Sequence, residues 1–61
     1  MNITYTHEPN ETALLTVFVD GEPMAWIFEN DGGGFELHDR FGIHPHSTLK
    51  SIIEMMEKIF N

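Results

Sequence analysis

The sequence predicts an α+β fold: a single small domain in which a four-stranded antiparallel meander carries one C-terminal helix packed on one face. Three observations predict it. Up to residue 39, apolar runs of strand length alternate with clusters of Gly, Pro, Asn and Asp, which is the pattern of consecutive hairpins. From about residue 45 the apolar spacing changes from two to three and four, the period of one helix face. A length of 61 residues accommodates one domain, spanning 1–61, and no second.

The first strand is expected at about 2–7, where Ile3-Thr4-Tyr5-Thr6 is rich in β-formers. Glu8-Pro9-Asn10-Glu11 is a turn, because Pro9 lacks a donor and Asn10 tolerates unusual backbone angles. The second strand covers about 12–19, with Ala13, Leu15, Val17 and Val19 on one face and Leu14, Thr16 and Phe18 on the other. Asp20-Gly21 provides the positive φ of a tight turn, with Glu22-Pro23 lengthening the loop. The third strand, about 24–29, puts Met24, Trp26 and Phe28 on one face, and Ala25, Ile27 and Glu29 on the other. Gly32-Gly33-Gly34 cannot sit comfortably inside a strand and marks a second hairpin loop. A fourth strand at about 34–39 follows, with Phe35 and Leu37 inward, and residues 40–43 turn the corner.

The helix is expected over about 45–60. Leu49, Ile52, Ile53, Met56, Ile59 and Phe60 form its apolar stripe, Pro45 suits its first turn, and His44 or Ser47 serves as the cap.

Composition narrows the functional classes. Ten Asp and Glu against three Lys and Arg give a net charge of −7, which repels phosphate backbones and excludes direct nucleic-acid binding. The absence of cysteine rules out disulfides and thiolate metal sites. With no apolar run of membrane length and no basic, apolar N-terminus, a soluble cytoplasmic protein is expected, without membrane contact.

The central hairpin is apolar on both faces, and one helix can cover only one of them. Either a face of Leu15, Val17, Val19 and Ile27 or a face of Leu14, Phe18, Met24, Trp26 and Phe28 is left over. A leftover apolar patch marks an interface, unless the N-terminal strand and loops fold over it. The expected function is therefore a small acidic protein-interaction module, homodimeric or docked on a host protein. Leu14, Phe18, Met24, Trp26 and Phe28 are its partner-binding residues.

Two other readings compete. In the first, Glu22, Glu29, Asp31, Glu36 and Asp39 form an acidic surface that mimics nucleic acid and inhibits a nucleic-acid-handling enzyme. In composition alone, the chain resembles small cysteine-free acidic inhibitors of phage origin, anti-CRISPR proteins among them. In the second, His38, His44 and His46 beside Asp39 hold a divalent metal. Against this stands a polar loop with one capping and one solvated histidine.

No cofactor is expected. Nor is enzyme activity: Ser47, Thr48 and Ser51 have no nucleophile elbow around them. The Asp31–Gly34 loop has no Lys or Ser/Thr after it to hold phosphate.

Overall fold

In the computed structural model, which describes residues 1–60, the chain forms β1 (Ile3–Thr6), β2 (Leu15–Val19), β3 (Glu22–Glu29), β4 (Phe35–Asp39), β5 (Gly42–His46) and α1 (Leu49–Phe60). The strands build one antiparallel sheet in chain order, β1-β2-β3-β4-β5. The fold is the expected α+β meander with a C-terminal helix, but the sheet has five strands rather than four.

The additional strand occupies residues expected to form a corner and the first helical turn. Asp39 Oδ1 accepts hydrogen bonds from Phe41 N–H at 2.8 Å and Gly42 N–H at 3.1 Å. This clamps a two-residue turn and sends the chain back along β4, with Leu37 paired to His44 and Phe35 to His46. Pro45 is accommodated because β5 is an edge strand, where a missing donor breaks no ladder bond. The helix consequently starts at Leu49, and its cap is Thr48, not His44 or Ser47. Thr48 Oγ1 accepts from Ser51 N–H at 3.1 Å, the bond an N-cap makes to the third helical residue.

The hairpin between β2 and β3 closes on Asp20 and Gly21 alone, with φ of 52° and 85°, the pair of positive values a type I′ turn requires. Glu22 and Pro23 thus belong to β3 rather than to the loop. Asp20 also anchors β1: its N–H donates to Asn2 O at 2.8 Å, and its carboxylate accepts from Asn2 N–H at 2.9 Å. Residues 12–14 precede β2, although Leu14 N–H still donates to Ile27 O of β3 at 2.8 Å.

The loop after β3 is organised by Asn30, whose Oδ1 accepts from Gly32 N–H and Gly34 N–H at 3.0 Å each. A Cβ on Gly34 would lie 2.8 Å from the His46 carbonyl oxygen, so glycine is what allows β5 to pass here.

The helix covers the Leu15, Val17 and Ile27 face. Val17, Ala25, Ile27, Leu37, Ile52 and Met56 form the buried core, flanked by Ile3, Tyr5, Leu15, Phe35, Leu49, Met55 and Phe60. The helix stripe is wider than its contact: Ile53 is 36% and Ile59 58% exposed. Among the described residues, no helix is long and apolar enough to cross a membrane.

Candidate functional site

The face of the sheet opposite the helix is the candidate site. Cross-strand register assigns its side chains. Thr4 lies beside Phe18, and Thr6 beside Thr16. Thr16 in turn lies beside Trp26, Trp26 beside His38, Phe28 beside Glu36, and His38 beside Ile43. The centre is a half-buried row of Phe18, Trp26 and Phe28, with Ile43 60% exposed at its β5 end.

Two adjoining hollows lie along this row, and they share Trp26 and Glu11. One, of about 310 Å³, lies between Phe18, Pro23 and the 8–11 segment; the other, of about 280 Å³, lies between Trp26, Phe28 and His38. The Glu8–Glu11 segment therefore runs beside the aromatic row and shields part of it. Thr16 is 3% exposed, and its hydroxyl has no hydrogen-bond partner among the described residues. The loop thus folds partway over the open face, and Trp26, Phe28 and Phe18 remain accessible between it and β5.

Two members of the expected partner-binding set, Met24 and Leu14, are placed differently. Val17 pairs with Ala25 and Phe18 with Pro23, so Met24 is the extra residue of a β-bulge. The bulge interrupts the alternation that would have aligned Met24 with Trp26. Met24 instead lines an apolar notch of about 200 Å³ on the helix side, with Met56, Ile59, Phe60 and Phe41. Leu14, 38% exposed, precedes β2; its N–H donates to Ile27 O of β3 at 2.8 Å, and its carbonyl accepts from the His7 ring at 3.2 Å.

The rim of the open face is acidic. Glu8 and Glu11 line the hollows, and Glu36 projects from β4. His38 Nε2 donates to Glu36 Oε1 at 3.1 Å, and its ring packs against Phe28 with centroids 4.3 Å apart. Among the described residues, no lysine or arginine lines either hollow. Arg40 sits at the β4–β5 turn, its guanidinium 4.9 Å from the Phe41 ring centroid, and Lys50 and Lys58 are on the helix.

The wider acidic set does not form one array. By register, Glu36 lies on the open face and Asp39 on the helix face. Glu29 closes β3 at its paired edge with Phe35, Glu22 starts β3, and Asp31 sits in the Asn30 loop.

The histidine group is likewise divided by the sheet. His38 is on the open face, whereas His44 and His46 are on the helix face. His44 Nε2 donates to Asp39 Oδ1 at 3.2 Å, and His46 Nδ1 lies 2.9 Å from Ser51 Oγ. Burial pushes the Asp39 carboxyl up, but the hydrogen bonds from Phe41 N–H, His44 and Gly42 N–H outweigh it and hold it below its ordinary value. Among the described residues, no group of three or more His, Asp or Glu gathers as metal ligands. These residues are close in sequence, but the two-residue turn pairs His38 with Ile43 and Leu37 with His44, which puts His44 and His46 on the face opposite His38.

No protein-family model matches this chain, and neither a curated protein nor a solved structure is similar to it. Its functional reading therefore rests on the geometry of this face.

Proposed function

We propose that the chain is a small protein-interaction module whose open sheet face docks on a basic, partly apolar surface of a partner protein. One observation carries this reading: an accessible aromatic row, Phe18, Trp26 and Phe28, is bordered by Glu8, Glu11 and Glu36 with no lysine or arginine in its hollows. Apolar burial supplies affinity at roughly 25 cal/mol/Å², and aromatic side chains, tryptophan above all, are the usual anchors of such contacts. The carboxylates set the sign of the partner and speed its approach. The same rim makes face-to-face self-association unfavourable, since it would bring carboxylates against carboxylates.

The test is affinity capture from the native cell with the unmodified chain, Trp26→Glu, and a Glu8/Glu11/Glu36→Gln variant, each confirmed folded by its far-UV spectrum. The reading expects one partner that is retained by the unmodified chain and lost with Trp26→Glu. It should bind the triple variant several-fold more weakly, and binding should fall with added salt. A partner bound equally by all three chains would overturn it. The metal-holding and nucleic-acid-mimic readings have less behind them, because the histidines and the carboxylates they need lie on different faces.

A further inference from the structure

The two edges of the sheet are not equivalent. Alternation from the Asp39–Gly42 pair that closes the last turn directs the backbone groups of Ile43 and Pro45 outward, and Pro45 has no N–H to offer. That edge is guarded. The other edge, β1, reads Ile-Thr-Tyr-Thr, with no charge, no proline and no bulge. Charge, proline and bulges are devices by which exposed edges avoid pairing, and β1 has none of these three; only its length of four residues limits the edge.

The direction of the free groups on β1 follows from its partner. Asp20 N–H donates to Asn2 O, so the backbone groups of Asn2, Thr4 and Thr6 face β2, and those of Ile3 and Tyr5 face outward. We infer that this edge pairs antiparallel with the same edge of a second copy, about a two-fold axis at Thr4. In that register Ile3 lies opposite the Tyr5 of the other copy, and each exchanges both backbone hydrogen bonds with its partner. Thr4 faces its own counterpart in a non-hydrogen-bonded position.

The side chains suit this register. Ile3 and Tyr5 share the helix face, so the cross-strand pair is β-branched against aromatic, and the central pair is Thr against Thr; both are favourable combinations. Shifting the axis to Tyr5 would instead oppose Ile3 to His7, whose ring is already engaged with Leu14 O.

The helix adds to the surface. Ser51 and Met55 turn toward His46 on β5, so Ile53 and Glu57 lie on the opposite flank, toward β1. Burial and then the Glu57 carboxylate push the Tyr5 phenol up from its ordinary value. Ile53, 36% exposed, is thus available beside Ile3 and Tyr5. Pairing joins two sheets into one and puts both open faces on the same side, so a dimer would present the aromatic row twice.

Disulfide trapping tests this directly, because the chain has no cysteine of its own. At a non-hydrogen-bonded antiparallel pair the Cα atoms are about 4.5 Å apart, within disulfide reach. Thr4 and Thr6 are both exposed, so either cysteine is compatible with the fold. Under mild oxidation Thr4→Cys should form a species of twice the 7.0 kDa chain mass. It should do so about tenfold or more faster than Thr6→Cys, whose counterpart would be Asn2. Sedimentation of the unmodified chain should show a concentration-dependent dimer that strengthens with salt, since each copy carries −7. Equal trapping rates, faster trapping at position 6, or a 7.0 kDa species at every concentration would overturn the inference. Trp26→Glu should leave the dimer intact, so this result and the partner-docking result are independent.

Discussion

Phe28 and His38 are diagonal neighbours in the sheet, not opposite ones, yet their rings lie 4.3 Å apart at 46°. Trp26 holds the position across from His38, and Glu36 holds the position across from Phe28. The imidazole donates to that same Glu36 at 3.1 Å. His38 therefore links the aromatic row to its acidic rim. His38→Ala should cost about 0.5–1.5 kcal/mol in urea unfolding, the scale of an aromatic pair. Glu36→Gln should cost under about 1 kcal/mol, because both partners are about a third exposed to solvent. A larger loss for Glu36→Gln than for His38→Ala would show that the contact to the Glu36 carboxylate, not ring packing, holds the site.

The loop after β3 separates two glycines by steric demand alone. Gly34→Ala places a methyl 2.8 Å from the His46 carbonyl, a backbone atom that can move only by displacing β5. A loss of about 1–3 kcal/mol is expected, the cost of overpacking. Gly32→Ala meets only Asn30 Oδ1 at 3.5 Å, an ordinary contact. It should be neutral, or stabilise by a few tenths of a kcal/mol through reduced freedom of the unfolded chain. Thermal melts of the two variants compare them directly.

Thr16 sits under the 8–11 segment, 3% exposed, with its hydroxyl unpartnered. Thr16→Val removes the buried hydroxyl and keeps the β-branched shape. Relief of an unsatisfied polar group should stabilise the protein by about 1 kcal/mol, read from the urea midpoint at unchanged slope. A destabilised variant would mean that the hydroxyl is hydrogen-bonded in solution.

Asp39 clamps the turn that creates β5. Its folded-state pKa is depressed, so its charged form contributes stability above its unfolded-state value of about 3.9. That contribution falls away as pH drops from there through the lower folded-state value. Asp39→Asn keeps an acceptor for Phe41 and Gly42 but cannot ionise. Its stability deficit should be constant near neutrality and shrink below about pH 4. Asp39→Ala, which also loses both backbone bonds, should be less stable than Asp39→Asn throughout. Urea titrations across this range decide the sign: a deficit that grows on acidification would contradict the assignment.

The features legible in the sequence depend on nearest neighbours in the chain. The Asp20–Gly21 turn needs only two residues that accept positive φ. The helix stripe from Leu49 to Phe60 needs only a three-and-four spacing. Trp26 and Phe28 share a face because they are two residues apart within a regular part of β3. Met24 has the same spacing but leaves that face, since a bulge depends on the partner strand and has no signature in the local sequence.

By itself, then, the sequence determined an antiparallel meander under a C-terminal amphipathic helix, an acidic surface, and a central hairpin with more apolar side chains than one helix can cover. Tertiary structure alone decided which face the helix takes, that Gly42–His46 joins the sheet, and where Met24 points. It also decided that the Glu8–Glu11 segment lies beside Trp26, and that His38 is separated from His44 and His46. Backbone period and turn chemistry act between neighbours in the chain and can be read there. Register, bulges and edge pairing arise from hydrogen bonds and packing between residues far apart in sequence, and they exist only once the strands have met.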